Sequence, residues 1–274
     1  MKKITQFFSS FIKTLAFLLF IYIFVINLLW SSIIQYVAEN THIYFNSFII
    51  WFIFSIFAIL YFLLHKYLQK IDEKKAKIIC AISLGLFLAI NIFWIFYSKA
   101  VPVYDCASIE SLAKLFAKGD FTAIKKDIYI ERYPYQIGVV TFFGVLYKIF
   151  HTTDFMLLKV INVVSNIFLL IGFHRIGREL TGKKYVPSIF ITGLLFIPIT
   201  LYNTFIYGDF IGLTFAVWSI YFAIRFRKED KKRDFILSIL LCMFAFFIKI
   251  NYSIFMIALL LYYFFYLNKK VMVK

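Results

Sequence analysis

Apolar residues run along this chain in blocks about as long as a bilayer is thick, and polar residues gather between them. Three blocks come early, at about 14–36, 43–64 and 78–98. Four follow, at 154–173, 185–204, 210–226 and 235–267. Each of the first six suits one membrane-crossing helix of about 20 residues. The last would be about 50 Å long as a single helix, too long for an ordinary crossing. Lys249-Ile250-Asn251 interrupts it, so two short crossings are expected. The pattern predicts an all-α polytopic membrane protein of about eight transmembrane helices. No internal repeat of the inverted-transporter kind is visible.

The one sizeable stretch between blocks is 99–153. Within it Ser108–Lys118 reads SIESLAKLFAK, with Ile109, Leu112 and Phe116 on one face and Glu110, Lys114 and Lys118 elsewhere. That is a short amphipathic helix, closed by Gly119. Residues 136–150, QIGVVTFFGVLYKIF, are apolar but reach only roughly 22 Å as a helix. Charge decides whether they cross. If they do not, the N-terminus, 65–77, 174–184, 225–234 and the C-terminus share one side and hold 21 of the 30 basic residues. If they do, the last three of these groups move outside, against the positive-inside rule. The stretch 99–153 is therefore expected to be one extracytoplasmic loop, with 136–150 a juxtamembrane helix and both termini cytoplasmic. Residues 1–77 then form two N-terminal transmembrane helices ahead of a module at 78–274.

Composition sharpens this. Of 274 residues 63% are apolar and only 16% charged, against about 25% charged in ordinary soluble domains. Soluble globular, disordered and disulfide-scaffold classes are excluded. The net charge of +16 would suggest nucleic acid in a soluble chain; here it marks cytoplasmic loops and no nucleic-acid partner is expected. The start, Met1-Lys2-Lys3 and then an apolar run from Leu15 to Trp30, resembles a signal peptide but is long for one, and reads as a retained first span. Cys80 and Cys242 lie in apolar runs as small hydrophobes, and no Cys or His spacing suggests a metal.

Ionisable groups at membrane depth are costly and usually functional. Asp105, in Val101-Pro-Val-Tyr-Asp105, follows the third block and could serve as a general base or merely start the next helix. Arg132, in Glu131-Arg132-Tyr133-Pro134-Tyr135-Gln136, could contact lipid headgroups or hold a phosphate. Asp209, in Tyr207-Gly208-Asp209, could cap the following span or shape a site. Lys249 could snorkel at a helix end or meet an anionic ligand. The charge-derived topology puts all four at the extracytoplasmic face, which suits a lipid-linked phosphate ligand beside a general base.

In order along the chain, Tyr104-Asp105, Gly119-Asp120, Arg132-Tyr-Pro-Tyr-Gln136, Gly172 to Lys184, Tyr207-Gly-Asp209 and Ala245-Phe-Phe-Ile-Lys249-Ile-Asn251 resemble a known pattern over roughly 80–267. It is that of the C-superfamily glycosyltransferases, which use polyprenyl-phosphate sugars and include the protein O-mannosyltransferases and the lipid A aminoarabinose transferase. The resemblance implies an isoprenoid-phosphate sugar as donor and an unknown glycan, lipid or protein as acceptor. The lysine-, isoleucine- and phenylalanine-rich composition points to a bacterial plasma membrane. Asp105 would be the base for inverting transfer. Arg132 and Lys249 would hold the donor phosphate, with Tyr133, Gln136, Asp209 and Asn251 as further substrate-binding residues. A divalent metal is the one cofactor the resemblance leaves open. The two spans before residue 78 are extra to the simplest family pattern and family members run longer, so a truncated, minimal or inactive form is expected. The competing readings are a transporter or flippase of lipid-linked or anionic solutes, and a non-catalytic membrane assembly partner.

Overall fold

The computed structural model describes residues 2–34 and 41–272. They form two compact units, Met1–Lys70 and Ile71–Lys274.

The first unit is a helical hairpin with a strand pair at its turn. Helix α1 (Lys2–Leu29) leads into β1 (Trp30–Ile34), which pairs antiparallel with β2 (Thr41–Phe45) before α2 (Phe48–Leu68). The first span thus ends at Leu29 instead of continuing to 36, and the all-α expectation gains a small sheet. The cause is local. Trp30 and Phe45 pair directly, their rings edge to face at 6.1 Å, a cross-strand contact that stabilises a ribbon. Buried Asn46 closes its base, accepting from Ser31 Oγ at 2.6 Å and donating to the Asn27 and Leu28 carbonyls. None of the most apolar window of α1 or of α2 is buried within the protein. Two helices apolar all round and uncovered by protein belong in lipid, where that surface costs nothing.

The second unit contains α3 (Glu73–Tyr97), α4 (Tyr104–Lys118), α5 (Phe121–Lys125), α6 (Ile128–Arg132), α7 (Ile137–Ile149), α8 (Phe155–Thr181), α9 (Pro187–Leu195), α10 (Ile197–Leu201), α11 (Asp209–Glu229), α12 (Lys232–Ile248) and α13 (Ser253–Met272). Their limits follow from capping. Asp72 and Asp154 accept the backbone N–H of Lys75 and Met156 to start α3 and α8. Gly119 ends α4 as expected, with φ near 80°, the Asp120 N–H reaching back to the Leu115 carbonyl and its own to Phe116.

Among the described residues five helices are long and apolar enough to cross a membrane: Ser10–Leu29, Phe48–Leu68, Glu73–Tyr97, Phe155–Thr181 and Asp209–Glu229. A sixth results if Pro187–Leu195 and Ile197–Thr204 count together, although they bend by 66°. The expected continuous span at 185–204 is therefore broken at Phe196, just before Pro198, which has no N–H to continue the ladder. The run 235–267 is divided as expected. Helix α12 stops at Ile248, a short turn covers Ile250–Tyr252, and α13 begins at Ser253. These last two helices fold back on each other through Phe235, Cys242, Leu259 and Tyr263. By length and composition the protein is a helical membrane protein of five or six clear spans.

The core of the second unit lies where α4 packs on α7. Ile109, Leu112 and Ala113 meet Val139, Val140 and Phe143, all fully buried. Helix α7 is too short to cross a bilayer, yet it lies inside the fold, close enough to α12 that a Cβ on Gly138 would strike the Phe247 carbonyl. Glu110 is buried too, on the Lys114 ammonium at 2.5 Å with the Tyr147 hydroxyl at 3.5 Å. At the opposite end of α11 from Asp209, ion pairs gather: Arg225 with Glu229 and Asp234, and Lys228 with Glu179. Lys184 pairs with Glu73.

Candidate functional site

Three of the four ionisable residues singled out in the sequence, Asp105, Asp209 and Lys249, meet where three helix ends converge: the start of α4, the start of α11 and the end of α12. Tyr104, at the first position of α4, takes φ of 48°, a left-handed value uncommon for a residue with a side chain. It brings Asp105 into the first turn. Asp105 does not cap the helix; Val103 holds the cap position and no side-chain cap bond forms. Instead its Oδ2 accepts from the Tyr207 hydroxyl at 3.0 Å. That hydroxyl accepts in turn from Gln136 Nε2 at 2.6 Å. Gln136 is buried at the start of α7, after a single turn opened by Pro134. A relay Gln136–Tyr207–Asp105 thus fixes the carboxylate from two elements.

Gly208 sets the next turn. Its φ of 80° demands glycine, and a Cβ there would lie 2.9 Å from Val139 and 3.0 Å from Ile248. The turn delivers Asp209 as the first residue of α11, where its carboxylate pairs with Lys249 and accepts from Tyr202 at 2.9 Å. Its backbone carbonyl accepts from Tyr252 at 2.5 Å. Lys249 lies at the end of α12, only 9% exposed, its Nζ 4.1 Å from the centre of the Tyr207 ring. It is a buried, paired cation rather than one extended to a headgroup layer.

Asp105, Gln136, Asp209 and Lys249 therefore form one bonded cluster, with Tyr207 at its hub. Tyr133 lies against Tyr129 on the flank, the two rings tilted at 56° with centroids 5.1 Å apart. Arg132 and Asn251 are exposed, and among the described residues no hydrogen bond or ion pair joins them to the cluster. Burial pushes the Tyr207 phenol up to about 12, with the bond to Asp105 acting in the same direction. Burial and then the neighbouring Tyr207 hydroxyl also raise the Tyr129 phenol. Both stay protonated donors at neutral pH.

Two grooves open beside the cluster. One, of about 230 Å³, is apolar, walled by Phe196, Pro198, Phe210 and Leu213, and it ends at Asp209 and Tyr252. The other, of about 520 Å³, is polar and runs between α4 and α6. A second apolar groove, of about 450 Å³ between α8, α11 and α12, lies away from the cluster, around Trp218. No group of three or more His, Cys, Asp or Glu side chains that could hold a metal occurs among the described residues. The carboxylates Asp105 and Asp209 would be its donors, but Asp209 already meets Lys249 and Tyr202, so these residues do not fit a metal centre.

The sequence reading passed over a second polar feature. Asn91, Asn203, Asn166 and Asn162 form a buried chain: Asn203 donates to Asn91, Asn166 donates to Asn203 at 2.6 Å, and Asn162 donates to the Phe205 carbonyl at 3.1 Å. It joins α3 and α8 to the segment before the site. Its signal was present in Asn162 and Asn166, one turn apart on an apolar helix. No protein-family model, curated protein or solved structure matches this chain.

Proposed function

We propose that this protein is a membrane glycosyltransferase that passes a sugar from a polyprenyl-phosphate donor to an extracytoplasmic acceptor, with inversion at the sugar. The observation that supports this reading is the relay Gln136–Tyr207–Asp105 beside the Lys249–Asp209 pair. One carboxylate is held in a fixed orientation next to a buried cation, where an apolar groove reaches the polar cluster. A lipid-linked phosphate has that form: an apolar tail and an anionic head at one boundary.

In this reading Asp105 takes the proton from an acceptor hydroxyl. The hydroxyl oxygen forms a bond to the anomeric carbon as the bond from that carbon to the donor phosphate oxygen breaks on the opposite face. The phosphate leaves with the bonding pair, still attached to its lipid. Lys249 offsets the charge that develops there, and Arg132, at the flank, supplies a planar fork. Tyr133 and Asn251 complete the contacts to the donor head as it docks. Fixed orientation carries much of the rate. The arrangement goes with eight crossings in a bacterial plasma membrane, with 99–153 outside and the basic segments 65–77, 174–184 and 225–234 in the cytoplasm.

The test compares surface glycans and lipid-linked sugars of cells lacking the gene, complemented with wild type or Asp105→Asn at equal membrane levels. Restoration of a missing sugar by wild type alone is expected. Equal restoration by both removes Asp105 from the chemistry. One observation favours a transport reading instead, the buried asparagine chain near the buried Lys159. That reading predicts solute uptake or lipid flipping without any missing sugar.

A further inference from the structure

We propose that Tyr129 is a positioning residue for Asp105: its hydroxyl donates to that of Tyr207, so the relay that orients the carboxylate begins on α6. Its bearing on catalysis rests on the glycosyltransferase reading; the hydrogen-bond assignment does not.

The assignment follows from counting donors and acceptors. A phenol has one proton to give and can also accept. Tyr207 gives its proton to Asp105 Oδ2 and accepts from Gln136 Nε2. What remains on its oxygen is capacity to accept once more. The Tyr129 hydroxyl is buried and bonds to no other group among the described residues. It lies against the Tyr207 hydroxyl. Buried polar groups in folded proteins are nearly always bonded. Because the Tyr207 proton is already committed to the carboxylate, one direction is open between the two phenols: Tyr129 donates and Tyr207 accepts.

This has a consequence for the carboxylate. With Gln136 and Tyr129 both donating to it, the Tyr207 oxygen is filled, and its own proton is confined to Asp105. Bonds in such a chain polarise one another, so donation from Tyr129 strengthens the last bond, the one to Asp105.

Helix α6 holds Tyr129 in place for this. The Asp127 carboxylate caps the helix, accepting the backbone N–H groups of Tyr129 at 2.8 Å and Ile130 at 3.4 Å. The Tyr133 ring lies against the Tyr129 ring from one turn on. Arg132 belongs to the same five-residue helix. The residue proposed to meet the donor phosphate and the start of the relay therefore share one element.

The experiment uses the full chain in lipid discs, with 3-fluorotyrosine at position 207, and reads its fluorine resonance against pH. A donor to the phenol oxygen favours the phenolate, so Tyr129→Phe is expected to displace the resonance and move its titration to higher pH. Asp105→Asn removes the group that holds the proton on Tyr207 and is expected to move the titration the other way. Tyr147→Phe removes a buried phenol outside the cluster, bonded to Glu110, and is expected to leave the resonance in place. In complemented cells, at equal membrane levels, Tyr129→Phe is expected to restore about fivefold less of the missing sugar than wild type, the factor carried by one hydrogen bond of ordinary strength. Tyr147→Phe should restore the wild-type amount. With the label at position 129 instead, Asp105→Asn is expected to displace that resonance too, which reads the chain from its other end with the phenol retained. A 207 resonance unmoved by Tyr129→Phe, an equal displacement by Tyr147→Phe, or full restoration of the sugar by Tyr129→Phe overturns the proposal. Both displacements in a protein whose loss removes no sugar from cells keep the hydrogen-bond assignment and overturn only the transferase reading.

Discussion

Lys249 carries its charge inside the fold, and Asp209 is the group that answers it. A buried ion left alone costs far more than a buried pair gains. Lys249→Met is therefore expected to destabilise the protein by about 3 kcal/mol, and Lys249→Met with Asp209→Asn by clearly less. Thermal unfolding in detergent checks this as a double-mutant cycle; additive losses would show that the pair is not coupled. Tyr207→Phe keeps the ring under Lys249 but removes both bonds of the relay. It is expected to lower sugar transfer about tenfold at a stability cost of about 1 kcal/mol. The phenol also has a pH signature. Its native value of about 12 lies above the ordinary value of 10.0, so the folded state favours the protonated form. That stability is complete below pH 10 and is lost as pH rises to about 12, where the melting temperature of wild type should fall more than that of Tyr207→Phe. Asp105, Asp209 and Lys249 were legible in the sequence because a charge stands out in an apolar chain. Tyr207 was not singled out: it is one of 19 tyrosines, and a tyrosine at a span end reads as an interfacial residue. Its role exists only through contacts made 71 and 102 residues away.

Helices were legible where periodicity or a cap marked them, and less so where long-range pairing decided. The amphipathic face of Ile109 and Leu112 and the stop at Gly119 were both readable, and α4 follows them. Glu110 was read on the polar side of that helix and is in fact buried, because Tyr147 of α7 and Lys114 cover it. Strand Trp30–Ile34 was read as the end of the first span, and residues 43–45 as the start of the second, because Trp and Ile are apolar in either structure; the cross-strand pairing decided otherwise. Helix α7 was expected at a membrane surface; its glycines pack it inside the fold, against α4 and α12. Gly138→Ala puts a methyl against the Phe247 backbone, which cannot turn aside, and should cost about 3 kcal/mol. Gly85→Ala, in α3 with nothing within 4 Å, should stabilise by about 0.5–1 kcal/mol. Melting temperatures moving in opposite directions check both.

At the scale of the molecule the charges divide along α11, with Asp209 and the relay at one end and the Arg225–Glu229–Asp234 group at the other. Charge counting led to the expectation that these two ends lie on opposite sides of a membrane. Labelling measures its relation to a membrane. Cys80, Cys106 and Cys242 are buried, and burial pushes the Cys106 thiol up to about 12, so background reaction should be low. In a cysteine-bearing pair of variants, Thr122→Cys is expected to react with an impermeant maleimide from outside the cell, and Lys232→Cys only after permeabilisation. Reaction of both from one side would mean that α7 crosses or that the broken pair α9–α10 does not. The division of the last apolar run into α12 and α13 also bears on how the protein is made. A short helix that ends in a lysine is a poor substrate for one-by-one transfer into lipid. Its charge is met by Asp209 on the preceding helix, and its inner face is covered by Tyr263 on the following one. In the eight-span reading proposed above, α12 would then wait at the translocon until α13 has emerged, and the two would enter the bilayer together as one hairpin docked onto a helix already in place.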